Sequence, residues 1–316
     1  MLIVDGRYTT VAAEMTREGT MGAVVVEGVE STYEAALGGL IVRDAITQVA
    51  FESDHVTVAG LVRWQAAAAL SPSDWRASAD LVERLRLIKD LYEIAIFRRA
   101  GAALADVAGQ LGGWVSAGRS ERQVAADINR GLDRAGFSHP AFDTIVASGP
   151  NSAHPHARPS DRRLARGDLV VLDFGGVLDG YCVDLTRMAA VGRVGDEALR
   201  IYRVVREAQQ AALDMICAGV TAGAVDAAAR QVLEAQGLGA AFVHGTGHGL
   251  GREVHEAPRL SRLAVPDDRL LAGMVCTVEP GAYVPGIGGA RLEDDVLVTD
   301  VGIELLTPGP RDLLTV

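Results

Sequence analysis

Residues 169–187 read LVVLDFGGVLDGYCVDLTR. Leu169–Leu172 is an unbroken aliphatic run, the pattern of a strand buried on both faces. Asp173 ends that run. A carboxylate carried into such surroundings must be paired, protonated or bound to a cation. The chain then turns through residues 175–180, GGVLDG, and returns as YCVDLTR. A hairpin centred near Leu178 and Asp179 predicts Asp173 and Asp184 opposite one another on one face, where like charges repel. A dication between them would remove that cost. So would an arginine, with Arg187 a candidate, and the hairpin alone leaves both readings open.

Outward from this hairpin the chain repeats itself. Gly118 to Phe137, GRSERQVAADINRGLDRAGF, and Gly219 to Leu238, GVTAGAVDAAARQVLEAQGL, have equal length and the same helical spacing. Ser120 followed by Gln123 is a capping-box start, and Gly136 a stop after the last turn. Downstream of each helix an apolar strand runs from a glycine to an acid: GDLVVLD ends in Asp173 and GMVCTVE in Glu279. Two helix-helix-strand units predict a pseudo-twofold core whose carboxylates meet near the axis. Glu293, in ARLEDDVLV, is expected on a further strand.

His248 joins this set. The segment HGTGHGLGREVHE places His244, His248 and His255, three of the chain's seven histidines, among closely spaced glycines. Those glycines make a regular helix improbable and allow close backbone approach, so His244 and His248 are not a helical pair, and no HExxH is present. A lone histidine is more often a core or surface residue than a ligand. Four carboxylates with one imidazole nevertheless form a hard donor set suited to Mn²⁺, with Co²⁺, Fe²⁺ and Zn²⁺ also compatible. Five side chains exceed the needs of one tetrahedral zinc with an open position. With bridging carboxylates they suit two ions about 3.5–4 Å apart, and a water between such ions could attack an amide carbonyl near neutral pH.

Composition narrows the alternatives. Of 316 residues 49% are hydrophobic and 22% charged, enough for a substantial core. A net charge of -11 argues against a broad nucleic-acid footprint, which needs a basic patch. Lys89 is the only lysine. Cys182, Cys217 and Cys276 are too few and too scattered for a disulfide framework, which fits a reducing cytoplasm. MLIVDGRYTT lacks the features of a signal peptide, and no apolar run reaches the ~20 residues of a membrane span.

Residues 1 to about 70 alternate strand-like runs (MLIV, GAVVVEGV, QVAFESDHVTVAG) with helix-like ones (TTVAAEMTREG, STYEAALGGLIVR), a βαβ rhythm. LSPSDWRASAD carries boundary chemistry. A small α/β domain is therefore expected over 1–75 and the main, α+β domain over 76–316.

Together HGTGHGLGREVHEAP, LDFGGVLDGYCVDLTR, TVEPGAY, GARLEDD, SGPNSAHPHA and DGRYT resemble the pita-bread metallopeptidases, in particular their Xaa-Pro dipeptidase (prolidase) and aminopeptidase P branch. The likeness runs over about residues 80 to 310 and is weaker before them. It implies a creatinase/aminopeptidase-type catalytic domain behind a shortened N-terminal domain, acting on short proline-containing peptides, and a homodimer. It implies that Asp173 binds one ion, Asp184 and Glu293 bridge two, and His248 and Glu279 complete the coordination. Glu279 would also exchange a proton with the attacking water. His156 and His255 would contact the substrate and the tetrahedral intermediate, His244 would line the proline pocket, and Arg291 would pair with a ligand carboxylate or with the substrate. By its distance from Gly149, His156 rather than His154 holds the family position.

In the resembling family more chain precedes the DGRYT-like segment than MLIV, so the first strands of that domain are expected to be missing. There the domain helps form the dimer and limits substrate length. Four readings follow: Xaa-Pro dipeptidase, aminopeptidase P on longer peptides, methionine aminopeptidase, and a binding module or metal-free hydrolase on the same fold. The last loses metal ligands in known forms, whereas all five are present here. The compact N-terminal domain and VHEAP favour the dipeptidase.

Overall fold

The computed structural model describes residues 1–265 and 267–316. The chain divides into two compact units, Met1–Val82 and Glu83–Val316.

The first unit runs β1 (Leu2–Val4), α1 (Thr9–Glu18), β2 (Val26–Gly28), α2 (Tyr33–Arg43), β3 (Val49–Glu52), α3 (Val58–Ala67) and β4 (Trp75–Ser78). β1 pairs with β2 and β3 with β4, both in parallel, as helical crossovers require. The expected strand QVAFESDHVTVAG stops at Glu52. The Thr57 hydroxyl accepts the Gly60 N–H at 3.1 Å and starts α3, so a cap outweighs the β-branched run Val56-Thr57-Val58. The stretch read as a boundary contains β4. Pairing with β3 keeps residues 75–78 in the first unit, so a division at 75/76 falls inside a strand.

The second unit holds α4 (Glu83–Arg86), α5 (Leu91–Ala108), α6 (Leu111–Trp114), α7 (Glu121–Arg134), β5 (His139–Pro140), β6 (Ile145–Ser148), β7 (Leu169–Leu178), β8 (Tyr181–Ala190), α8 (Asp196–Met215) and α9 (Ala222–Ala235). It continues with β9 (Gly247–Gly249), β10 (Glu256–Leu260), β11 (Val275–Val278), β12 (Gly281–Val284), β13 (Gly288–Arg291), β14 (Asp294–Thr299), β15 (Gly302–Leu305) and β16 (Leu314–Thr315). One sheet has the order β16-β8-β7-β5, with β6 also on β7; a second has the order β10-β9-β11-β14-β15.

The duplication is visible in backbone detail. Gly118 N–H donates to Leu164 O and Gly219 N–H to Leu270 O, both at 2.8 Å. Arg163 Nη1 returns to Gly118 O at 2.6 Å, and Arg269 Nη1 to Gly219 O at 2.7 Å. Both glycines hold left-handed φ, 88° and 92°, which a side chain rarely adopts. Each latch precedes a capped helix, Ser120 before α7 and Thr221 before α9.

In the β7–β8 hairpin Leu178 pairs with Tyr181 across Asp179 and Gly180, whose φ values are 49° and 80°. This Asp-Gly pair with two positive φ angles matches a type I′ turn. It moves the hairpin centre by one residue from the predicted one. Asp173 therefore pairs with Thr186 and Asp184 with Gly175, so the two acids are diagonal neighbours and not directly opposite. A one-residue move of the centre changes the pairing by two, which keeps both acids on one face.

That face is identifiable from the core. Val170, Leu172 and Phe174 with Val183 and Leu185 pack into one apolar cluster with α5 and α7. Leu169 and Val171 with Met188 and Ala190 pack into the other, with α8 and α9. Asp173, Asp184 and Thr186 continue the second face by strand alternation, so they point toward the second half of the unit.

Candidate metal centre

β7 and β8 deliver Asp173 and Asp184 to the meeting of the two sheets, and both are buried. Glu293 does not lie within a strand as expected. It sits between β13, which pairs with β12, and β14, which pairs with β11, where the chain changes sheets. There its backbone N–H reaches Thr186 O at 3.3 Å and its Oε2 accepts from the Thr186 hydroxyl at 2.6 Å. Asp184 N–H in turn donates to Asp295 Oδ2 at 2.9 Å. These bonds join the two halves directly behind the acids.

His248 lies on β9, its N–H held by Thr277 Oγ1 at 3.0 Å. Its Nδ1 is 3.1 Å from Gly249 O. A carbonyl only accepts, so Nδ1 carries the hydrogen and Nε2 is left facing Glu279 Oε1 at 3.3 Å. A lone pair and a carboxylate at that distance call for a proton or a cation between them. Burial opposes the charged imidazole, yet the hydrogen bond and charge of Glu279 raise the His248 pKa overall. Glu279, just after β11, is lowered to about 2: burial acts against this, and His248, His244 and Arg291 outweigh it.

One ligand atom from each of Asp184, His248 and Glu293 falls within 4.8 Å of the others, the one such group among the described residues. Asp173 and Glu279 lie outside that set; Arg291 Nη2 takes Asp173 Oδ2, and Glu279 Oε1 faces His248. Arg187, the arginine considered as a partner for Asp173, instead pairs with Asp294 at 2.7 Å. Arg291 does not satisfy Asp173 fully. Among the described residues Asp173 Oδ1, Asp184 Oδ1, Glu293 Oε1 and Asp295 Oδ1 are buried with no hydrogen-bond partner. An unsatisfied buried polar atom costs about 1–3 kcal/mol, more when charged.

The electrostatics agree. Burial, then the charges of Glu293, Asp173, Asp295 and Glu279, hold Asp184 well above the ordinary carboxylate range. Burial, Glu279 and Asp173 do the same to Glu293. Asp173 is raised by burial and by Glu279 against the pull of Arg291. Crowded acids with lone pairs aimed at nothing, beside an imidazole nitrogen, fit a divalent cation.

The other predicted residues surround this centre. The His255 ring stands edge-on to His248 with centroids 4.4 Å apart. His244 Nδ1 lies 2.8 Å from Gly245 O, so its Nε2 accepts from Tyr283 OH at 3.0 Å. Tyr283 OH accepts from Arg291 Nη1 at 2.6 Å, and a second bond from the same nitrogen reaches Pro155 O at 3.2 Å. His156 follows Pro155 on an exposed loop and acts electrostatically on Asp173, His244 and His255. His154 is exposed on the same loop.

Residues 95–300 match metallopeptidase family M24. The chain belongs to that family. An Xaa-Pro dipeptidase of Pyrococcus furiosus is 43% identical over 74% of this chain and 67% of its own. The solved Xaa-Pro dipeptidase from Bacillus anthracis superposes with a TM-score of 0.94 at 35% identity, covering 99% of this chain and 86% of that one. An X-Pro aminopeptidase from Thermotoga maritima gives 0.87 at 34% identity, with 99% and 87% covered. As an M24 member the chain has the α+β pita-bread fold that its motifs implied and is a metal-dependent peptidase. Among the described residues no helix is long and apolar enough to cross a membrane.

Three features of this M24 centre escaped the sequence reading. Asp295 backs Asp184, though it sits within the quoted GARLEDD. Tyr283, within TVEPGAY, bridges His244 and Arg291. Asp294 is a buried hub taking Arg187 and Arg311 at 2.7 Å and Gln209 at 2.9 Å. Through it Arg187 reaches Glu293 O at 2.7 Å and Gln209 reaches Val278 O, next to Glu279, at 3.2 Å. Consecutive acids give no hint of which one faces an ion and which one faces arginines.

Proposed function

We propose that this chain hydrolyses Xaa-Pro peptide bonds, with dipeptides as preferred substrates, and that Asp173, Asp184, His248, Glu279 and Glu293 hold two divalent ions, Mn²⁺ first among them. The observation that carries the reading is the set of unpartnered buried oxygens on Asp173, Asp184 and Glu293. Divalent ions bound there supply positive charge that polarises a carbonyl and makes a water acidic near neutral pH.

The chain's own groups support the remaining work. Glu279 is kept ionised by His248, so it can accept a proton from the attacking water and return one to the leaving amine. His255, edge-on to His248, and His156 would serve as donors to the substrate and to a developing oxyanion. The His244–Tyr283–Arg291 chain, with Phe242, whose ring meets His244 at 5.2 Å, would form one partly apolar wall of a proline pocket. Such a wall suits a ring that has no amide N–H to offer. Arg291 also donates to Pro155 O, to Asp173 and, from Nε, to Thr186 Oγ1 at 3.3 Å, and it can pair with a ligand carboxylate or with the substrate. Three free cysteines support a reducing, cytoplasmic setting; the homodimer rests on the family resemblance.

Aminopeptidase P is the second reading, favoured by the likeness to the Thermotoga enzyme over 99% of this chain and 87% of that one. A panel of Met-Pro, Ala-Pro, Ala-Pro-Ala and Met-Ala-Ala with added Mn²⁺ separates them. Preferential cleavage of the two dipeptides is expected. Preference for Ala-Pro-Ala moves the assignment to aminopeptidase P, cleavage of Met-Ala-Ala alone to methionine aminopeptidase, and no cleavage to a binding module.

A further inference from the structure

Away from the acids, one buried carboxylate collects donors that the reading above does not use. Glu121 opens α7 and is fully buried. Its Oε1 accepts from the Ser148 N–H at 2.8 Å and the Ser148 hydroxyl at 2.7 Å. Its Oε2 accepts from the Ser160 N–H at 3.0 Å and the Ser160 hydroxyl at 2.6 Å. Asn151 Nδ2 donates to both oxygens at 3.1 Å.

Ser148 and Ser160 are the two ends of segment 149–159, which carries His156. Besides Asn151, the same segment is tied at two inner points to another strand. Gly289 N–H donates to Ser152 Oγ at 2.9 Å, and Arg291 Nη1 to Pro155 O at 3.2 Å. These two ties lead to β13, the strand that ends in Arg291. An acid in the first turn of a helix is favoured by the helix dipole wherever its side chain points. That preference does not require burial or the closing of a loop. A helix-borne carboxylate that gathers both ends of a loop fixes where the loop's middle stands.

We propose that Glu121 is a positioning residue: it clamps Ser148 and Ser160 so that the His156 imidazole is presented to the substrate. This rests on the proposed peptidase reading, and on the substrate role of His156 within it. Segment 149–159 is then a preset arm of the site, with Ser148 and Ser160 as its two fixed ends. A shift of about 1 Å at a reacting group can cost on the order of 100-fold in rate, so loss of one end should register in turnover.

The test uses Ser160→Ala, which removes one donor of the clamp, in the wild-type and His156→Ala backgrounds. Ala-Pro kinetics, bound metal per chain and amide hydrogen exchange over 149–160 are measured on the Mn²⁺-loaded protein. The expected result is a fall in kcat/KM on the order of tenfold, unchanged metal content and faster exchange confined to that segment. In the His156→Ala background the same substitution should change kcat/KM by less than about twofold. Glu121→Gln, which keeps one acceptor oxygen, should retain more activity than Glu121→Ala. Equal losses in both backgrounds overturn the proposal, as does faster exchange without any loss of kcat/KM. A His156→Ala variant with wild-type kcat/KM overturns it too. If the unmodified protein cleaves none of the peptides, the functional reading has failed, and unchanged exchange in Ser160→Ala then disproves the clamp by itself.

Discussion

The Thr186 hydroxyl donates to Glu293 Oε2 at 2.6 Å, so a residue of the first repeat holds an acid of the second. Thr186 is also the cross-strand partner of Asp173. Thr186→Val keeps the shape and removes the donor. It should lower the stability of the chelated protein by about 1–3 kcal/mol, because Glu293 then has no partner on either oxygen. Metal affinity should fall about 10–100-fold, as it does when the group orienting a ligand is lost. Urea unfolding after chelation and metal titration measure the two effects separately.

Asp184→Asn should separate binding from stability. Burial and four neighbouring acids hold the Asp184 carboxyl well above its ordinary range, so an amide relieves repulsion in the ion-free protein. Chelated Asp184→Asn should melt at or above the wild-type temperature near pH 8. Its activity should fall by at least about 100-fold, since changes one shell further out already cost 10–100-fold. A chelated variant that melts well below wild type would contradict the assignment. Asp173→Asn and His248→Ala should likewise abolish turnover with the fold retained.

The ion-free protein should lose stability as pH rises. Asp173, Asp184, Glu293 and Asp295 all have pKa values raised by burial first and then by neighbouring acids, Glu279 among them in every case. For an acid raised in this way the stabilising contribution is complete below the unfolded pKa, near 3.8 for Asp and 4.5 for Glu, and drains away as pH climbs through the folded value. His248, raised above 6.5, acts in the same direction. Glu279, lowered to about 2, acts oppositely but is lost only in strong acid. The melting temperature after chelation should drop between about pH 5 and about pH 8, and Mn²⁺ should raise it most at the upper end. A flat or rising profile without metal would refute this.

Asp294→Ala should be among the most damaging substitutions. The carboxylate is fully buried between Arg187, Arg311 and Gln209, and its loss leaves the Arg187 charge buried without its partner. A cost of about 3–5 kcal/mol is expected in chemical denaturation.

Much of this centre was legible because its signals are local. The aliphatic run before Asp173, the glycine-spaced histidines and the matched helices at 118–137 and 219–238 each depend on neighbours in sequence. The face shared by Asp173 and Asp184 was recoverable from strand parity, although the Asp179-Gly180 turn put the hairpin centre one residue further on. What stayed hidden depends on partners far along the chain. Glu121 reads as an ordinary first-turn acid until Ser148 and Ser160 arrive 27 and 39 positions later. Asp294 and Asp295 are indistinguishable as letters, yet one meets arginines and the other backs Asp184. Residues 53–60 misled for the opposite reason, since a single capping threonine reversed a β-branched preference.

The latches at Gly118 and Gly219 mark two similarly built lobes, packed around two apolar nuclei that each draw side chains from both. Asp173 and Asp184 come from one lobe, and His248, Glu279 and Glu293 from the other. On the proposed assignment neither lobe owns a sufficient ligand set. Ion affinity thus becomes a gauge of lobe docking: damage deep in either nucleus, far from any ligand, would be felt first as a looser grip on metal.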